Sequence, residues 1–168
     1  TKLQEALAQA QSLALGADNQ YIEPQHLLAA LLDDEGISGL IAKAGGNATG
    51  LRKALTDSIA RLPKVEGTPG EVHIGRDLTT LLNVADKEAQ KRGDQYIASE
   101  LFLLAAAGDK GDTGRLLKQA GVTKAALEKA IEEVRGGENV SSQSDETQRQ
   151  ALAKYTLDLT DRARQGKL

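Results

Sequence analysis

The feature that most constrains this 168-residue chain is an internal repeat, in which the tripeptide Gln-Tyr-Ile at 20–22 recurs 75 positions later at 95–97. Upstream of each tripeptide, apolar residues keep the i, i+4, i+7, i+11 spacing of one helix face. They are Leu3, Leu7, Ala10 and Ala14 in the first copy, and Leu78, Leu82, Ala85 and Ala89 in the second. The sequence therefore predicts two tandem copies of one helical unit.

The repeat continues downstream of the tripeptide, where residues 27–31 align with 102–106. After a one-residue slip, 40–45 align with 116–121. The apolar spacing predicts four helices in each unit, in the first unit at about 2–15, 24–33, 37–44 and 48–62.

The ends of these helices are marked by residues suited to them. Pro24 is predicted at the first position of the second helix, where a missing N–H costs nothing, and Ser99 at the equivalent place is expected to cap with its hydroxyl. Gly45 and Gly121 each follow an alanine at the end of a third helix, where a left-handed residue is favoured.

Two segments of low hydrophobicity are predicted to be linkers. Residues 63–71 contain two prolines and two glycines and are expected to join the repeats flexibly. A second flexible linker is predicted at 136–146, followed at 147–168 by a last helix with its own apolar stripe. The predicted domain spans 1–135, with repeat one at 1–62 and a pseudo-symmetric repeat two at 77–135.

Composition agrees with an all-α fold and excludes several classes of partner. Aromatic residues make up only 2% of the chain, and the small apolar residues that remain suit close helix packing. A net charge of −3 with both signs interspersed gives no basic face for nucleic acid, and no apolar run reaches the roughly 20 residues of a membrane span. The absence of cysteine favours a reducing compartment, so we expect a cytoplasmic location.

Motifs for catalysis or cofactor binding are missing from the sequence. There is no G-x-x-x-x-G-K-[ST] phosphate loop, so no ATP is expected in this chain. The segment 108–114 superficially suggests a calcium loop, but its later ligand positions are Gly and Ala, which indicates a surface turn. His26 and His73 lack metal-ligand spacing, and His26 is expected on the polar edge of its helix, near Glu23 or Gln25.

Two acids and three aromatic residues are the remaining candidates for function. Asp94 and Glu100 flank the second tripeptide. One interpretation is that the two carboxylates perform acid–base chemistry. The other is that they lie in a solvated loop, with Glu100 as an acid in the first turn of a helix. The second interpretation is favoured, because no nucleophile or metal ligand accompanies them. Tyr21, Tyr96 and Phe102 are either core residues or walls of an exposed groove, and the core is favoured.

Three segments together resemble the amino-terminal region of the ClpB disaggregases, a branch of the Clp family of AAA+ chaperones. They are LGADNQYIEPQHLLAALL at 15–32, KRGDQYIASELF at 91–102 and KYTLDLTDR at 154–162. The resemblance covers nearly the whole chain and implies the Clp N-domain type of fold, with the helix 147–168 leading into an AAA+ ATPase module. It further implies that ATP and magnesium belong to that module of a hexameric parent.

The resemblance also implies a function. It implies a non-catalytic domain of a stress-response disaggregase, which recruits exposed apolar segments of unfolded or aggregated proteins for transfer to the AAA+ pore. A co-chaperone is a further partner that the resemblance suggests. An alternative is the docking of an adaptor protein, as in ClpA and ClpC relatives, and a hydrolytic enzyme is a distant third.

The substrate-binding positions implied by the resemblance all fall in the second copy. They are Val84, Asp94, Tyr96, Glu100 and Leu101. Asp94 and Glu100 are expected to rim a shallow apolar surface. Glu88 departs from the family pattern, because an apolar groove residue often stands there. The binding face is expected mainly on the second copy, since His26 of the first copy is replaced there by Leu101.

Overall fold

The computed structural model of this chain describes residues 2–65 and 72–136. Within those ranges the chain forms eight helices and one pair of two-residue strands. The helices are α1 (Lys2–Gly16), α2 (Pro24–Leu31), α3 (Glu35–Lys43), α4 (Ala48–Ala60), α5 (Arg76–Lys91), α6 (Ser99–Ala107), α7 (Asp112–Gln119) and α8 (Lys124–Arg135). The strands are β1 (Tyr21–Ile22) and β2 (His73–Ile74). The all-α prediction with four helices per repeat is confirmed.

Each repeat is built around a buried second helix. The long helices α1 and α5 lay their apolar stripes on α2 and α6, and nearly every residue of α2 and α6 is buried. Burying a leucine side chain completely contributes about 1.5–3 kcal/mol, so these two helices make a large contribution to the apolar stabilisation. The spacer 137–146 and the helix predicted at 147–168 lie outside the described residues.

The two repeats pack with a crossed pairing of helices. The third helix of each repeat contacts the fourth helix of the other, which gives the pairs α3 with α8 and α4 with α7. Such reciprocal contacts are those of a two-fold axis, here an approximate one inside a single chain. The predicted pseudo-symmetry is thus visible in the packing.

The two glycines predicted at helix ends meet at this axis. Gly45 and Gly121 have φ angles of +89° and +87°, as predicted for left-handed residues after a helix. A Cβ on Gly121 would lie 3.2 Å from the carbonyl oxygen of Gly45. Close by, the N–H of Asn47 donates to the carbonyl of Ala120 at 2.8 Å. Glycine is required here both for the backbone conformation and for the close approach.

The capping predictions are confirmed for one helix and wrong for another. Pro24 is the first residue of α2, as predicted. Ser99 is not a cap, because α6 begins one residue earlier than expected, with Ala98 at the N-cap position. The Ser99 hydroxyl is buried inside the first turn and has no hydrogen-bond partner among the described residues.

The junction between the repeats is more ordered at its two ends than the sequence predicts. β1 pairs in parallel with β2, which joins the α1–α2 loop to the start of the second repeat. On the other side, Val65 N–H donates to Asp18 at 2.8 Å, and the Asn19 amide donates to the Pro63 carbonyl at 3.2 Å. The prediction of a flexible linker at 63–71 is therefore wrong for 63–65, and residues 66–71 lie outside the described part.

Candidate functional site

An open groove of about 340 Å³ lies on the second repeat. Its walls come from α5, the end of α6, the α6–α7 loop and the start of α8. The lining residues are Thr80, Leu81, Val84, Glu88, Leu104, Ala105, Gly108, Asp109, Lys110 and Lys124. A concave surface with an apolar centre and a few polar groups is typical of ligand-binding sites.

The centre of the groove is apolar because α5 has a second apolar edge. Leu81 and Val84 are three residues apart and lie on one side of the buried stripe of α5. Leu81 is buried, whereas Val84 is 45% exposed. Leu104 and Ala105 of α6 complete the apolar surface.

Glu88 lies one helical turn beyond Val84, but its charge is compensated. Its carboxylate accepts a hydrogen bond from Arg92 Nε at 2.9 Å. The same guanidinium donates to Glu132 of α8, so Arg92 joins the groove wall to the neighbouring helix. The departure from the family pattern at Glu88 thus adds less polarity to the groove than a free carboxylate would.

The corresponding place in the first repeat is bridged by hydrogen bonds between exposed polar side chains. Gln9, which aligns with Val84 at the 75-residue offset, donates to Asp33 at 2.7 Å. Asp33 also accepts from Arg52 at 2.8 Å. These bonds hold the pKa of Asp33 below its ordinary value, the one from Gln9 contributing most. Together they bridge α1, the α2–α3 loop and α4 where the second repeat has its open groove.

Asp94 and Glu100 do not rim the groove, which corrects the sequence prediction. Both carboxylates are buried and bind Arg135, the last residue of α8. Arg135 Nη1 lies 2.7 Å from Asp94 Oδ2, and its Nε donates to Glu100 Oε1 at 2.6 Å. The prediction was wrong because Glu100 pairs inside the protein with Arg135, which is 35 residues away in the sequence. We call these three side chains the buried ion cluster.

The other implied binding residues are divided between surface and core. Leu101 is fully buried, so it is a core residue and cannot line an exposed surface. Tyr96 is partly buried and packs against the core. Of the aromatic residues, Phe102 is in the core as predicted, but Tyr21 is 44% exposed, so the core interpretation is wrong for Tyr21. Val84 alone of the five implied residues lines the groove.

His26 is fully buried, which corrects its expected place on a polar helix edge. Its Nδ1 accepts the N–H of Glu23 at 2.8 Å, and its Nε2 lies 2.9 Å from Asn19 Oδ1. Because Nδ1 is an acceptor, the proton of the neutral ring is on Nε2 and is donated to Asn19. Burial lowers the pKa of His26 to about 4, so the ring is neutral at physiological pH.

The described residues hold no arrangement for metal chemistry or membrane insertion. Within 2–65 and 72–136, no three His, Cys, Asp or Glu side chains are placed to share a metal ion. In the same ranges, no helix combines the length and the apolar character needed to span a bilayer. At 108–114, Gly111 N–H donates to Asp109 Oδ2 at 3.1 Å, which is the local bond of a turn.

Most of the groove was missed by sequence reasoning, which found only Val84. The signal that could have found it is the pair Leu81 and Val84, which widens the apolar face of α5 beyond the repeated stripe. At the same offset the first repeat has Ala6 and Gln9, so the wider face belongs to the second repeat only.

Comparison with known proteins gives consistent matches. The family described as the Clp repeat (R) N-terminal domain matches residues 1–120. The chaperone protein ClpB of Vibrio vulnificus is 50% identical over 170 residues, covering 100% of this chain and 20% of that protein. ClpB of Vibrio cholerae is 51% identical with the same coverage. The chain thus spans about a fifth of the length of these curated relatives.

A solved structure supports the same assignment at the level of the fold. The Hsp104 N-terminal domain from Candida albicans has a TM-score of 0.73 and 24% identity, over 88% of this chain and 93% of that one. The family match agrees with the sequence prediction that this chain is not itself an enzyme. The chain belongs to the family of Clp repeat N-terminal domains.

Proposed function

We propose that this chain is the substrate-recruiting domain of an ATP-dependent disaggregase, which binds exposed apolar segments of unfolded or aggregated polypeptides. The observation that carries the proposal is the open groove at Leu81 and Val84, whose counterpart in the first repeat is bridged by Gln9 and Asp33. The similarity of the whole chain to ClpB supports it. The same proposal includes a hexameric parent that binds ATP with magnesium, a co-chaperone as partner, and a cytoplasmic location.

Within this proposal the five implied residues take different roles. Val84 contacts substrate directly. Asp94, Glu100 and Leu101 act indirectly, because they hold the start of α6 against α8. Both helices contribute to the groove, α6 with Leu104 and α8 with Lys124. Tyr96 lies in the loop between α5 and α6 and supports the same junction.

The size of the groove suits weak binding. A volume of about 340 Å³ holds only a few apolar side chains. Full burial of each contributes about 1.5–3 kcal/mol, and most of that is offset by the entropy lost when a flexible segment is ordered. Weak binding without sequence stringency is what a domain needs if it passes its substrate on.

Changing Val84 to Asp is expected to weaken binding of a permanently unfolded protein at least tenfold. The substitution places a charge on the apolar centre of the groove, where an apolar segment would have to desolvate it. Binding can be measured by fluorescence anisotropy with a reduced and alkylated protein as the probe. In an NMR titration, the amide signals of 81–88 and 104–110 should shift.

The matched control is Asn83→Asp, which adds the same carboxylate to the neighbouring exposed residue of α5, outside the groove. It should bind like the unchanged chain. Equal binding by both variants, or unchanged spectra at high probe concentration, would contradict the proposed function. Capture of one folded partner with indifference to unfolded chains would favour adaptor docking instead.

A further inference from the structure

A second concave surface, of about 500 Å³, lies between α7 and α8. Its lining comes from the end of α6, the α6–α7 loop, α7 and the start of α8. Ala107, which is partly buried, and Val122, which is buried, supply its apolar part. None of the apolar residues of the groove at Val84 lines it, so it is a separate surface of the second repeat.

Positive charge predominates on this surface. Arg115 is compensated by an exposed pair with Asp112 at 2.8 Å. Lys110 is compensated in part, because it lies between Asp109 and a neighbouring cleft that Asp112 also lines. The excess positive charge therefore rests on Lys118 and Lys124. We call this surface the basic cleft, and its charged lining residues are Asp109, Lys110, Arg115, Lys118 and Lys124.

The two lysines come from different helices and line one concave surface. Lys118 is in the last turn of α7, and Lys124 is the first residue of α8. Within 2–65 and 72–136, neither ammonium group pairs with an acid. The stem of Lys124 lies beside the end of α6, since a Cβ on Gly108 would be 3.3 Å from its Cδ. Two like charges in one cleft repel each other and favour an anionic group that binds between them.

The fold itself does not require these lysines. With the one-residue slip of the repeat, Ala42 and Ala48 of the first repeat correspond to Lys118 and Lys124. The equivalent helices α3 and α4 form with alanine at those places. A cation at the first position of α8 is also disfavoured by the helix dipole, so Lys124 is not explained by the stability of its helix. An interaction outside the fold explains both lysines.

We infer that the basic cleft binds an acidic, extended segment of a partner polypeptide. Carboxylates of the segment pair with Lys118 and Lys124, and a small apolar side chain between them contacts Val122. A polypeptide suits the cleft better than nucleic acid does, because two lysines form no extended basic track and the chain carries a net charge of −3. This interaction goes beyond the proposed function, which concerns apolar segments in the groove at Val84.

The test uses two short labelled peptides of Ser and Gly, with Glu-Ala-Asp-Ala-Glu or Gln-Ala-Asn-Ala-Gln at the centre. With the 168-residue chain at low salt, we expect the acidic peptide to bind about threefold to tenfold more tightly than the amide peptide, since each exposed ion pair is weak. The difference should shrink at high salt, because exposed charges are screened. In an NMR titration with the acidic peptide, the amide signals of 107–124 should shift more than those of 81–88.

Three variants separate this inference from the proposed function. Lys118→Ala combined with Lys124→Ala gives the second repeat the residues of the first, so it should fold normally and lose the preference for the acidic peptide. The matched control is Lys53→Ala combined with Lys129→Ala, which removes the same charge from exposed positions outside the basic cleft and should keep the preference. Val84→Asp should also keep it, because Val84 does not line the basic cleft.

The possible results are distinct. Equal affinities of the two peptides for the unchanged chain would overturn the inference and leave the proposed function standing. A preference for the acidic peptide that survives Lys118→Ala with Lys124→Ala, or that Val84→Asp abolishes, would place the binding elsewhere and would also overturn it. A labelled oligothymidylate should bind more weakly than the acidic peptide. Tighter binding of the oligothymidylate, lost in the double lysine variant, would indicate a nucleic-acid surface and reject the acidic polypeptide.

Discussion

Changing Arg135 to Met is expected to lower the free energy of unfolding by about 3–5 kcal/mol at neutral pH. The guanidinium is the cation of the buried ion cluster, with Asp94 and Glu100 within 2.7 Å and 2.6 Å of it. Its removal leaves two carboxylates near each other inside the protein, where each is poorly solvated and repels the other. The loss can be measured by urea unfolding followed by circular dichroism.

A triple variant distinguishes charge burial from loss of packing. Combining Arg135→Met with Asp94→Asn and Glu100→Gln removes all three charges and should recover more than half of the lost stability, because neutral groups of similar volume often replace a buried ion cluster at little cost. Arg115→Met removes an exposed pair with Asp112 and should change stability by less than about 1 kcal/mol. A single Arg135→Met variant as stable as the Arg115→Met variant would contradict the structural role of the cluster.

The buried ion cluster also shows why part of the site could not be predicted from sequence. Asp94 and Glu100 have the local pattern of a loop residue and a first-turn acid, and the neighbouring residues give no indication that the two carboxylates are buried. Their partner is 35 residues beyond Glu100, at the end of another helix. An ion pair between residues so far apart leaves no periodic signal in the sequence, whereas the apolar stripe of a helix recurs every three or four residues.

The helices were predicted well because the signal for a helix is local in the sequence. The spacing of Leu78, Leu82 and Ala85 depends only on the geometry of one helix, and the repeat supplies the same evidence twice. The parallel pairing of β1 with β2 was missed, because each strand has only two residues and shows no alternation. Local patterns therefore predicted the architecture, and long-range contacts decided which residues are exposed.

The groove itself was predicted in part, through a family resemblance that pointed to Val84. What the resemblance could not supply is the asymmetry between the repeats. In the first repeat, Gln9 donates a hydrogen bond to Asp33, which is 24 positions away in the sequence. At the same offset the second repeat has Val84 in place of Gln9 and Gly108 in place of Asp33, so both partners of the bridge are missing there, and Val84 is exposed in the groove. The asymmetry supports placing the proposed binding face on the second repeat.

The stability of the chain is expected to fall by up to about 3 kcal/mol because of His26 alone when the pH is lowered from 7 to 4. The pKa of His26 is depressed to about 4 by burial, below the value near 6.5 of an unfolded chain. Above pH 6.5 both states are neutral and the stability is fully present. As the pH falls from 6.5 to 4, the unfolded chain binds a proton that the folded chain excludes, so the folded state loses stability.

The variant that tests this is His26→Gln, because a glutamine at the third position of a helix can still accept the N–H of Glu23 but does not titrate. Urea unfolding at several pH values should give a shallower pH dependence for this variant than for the unchanged chain. His73→Gln changes an exposed histidine, keeps His26, and should retain the steep dependence. Parallel curves for the unchanged chain and His26→Gln would contradict a buried neutral imidazole.

Protonation of His26 should first destabilise the junction of the repeats. The ring donates to Asn19, whose amide donates to the carbonyl of Pro63. A second proton on the ring converts Nδ1 from acceptor to donor and turns it against the N–H of Glu23. Between pH 6.5 and 4, hydrogen exchange at the amide of Val65, which is bonded to Asp18, should therefore lose protection before the core amides of α2, and His26→Gln should remove that difference.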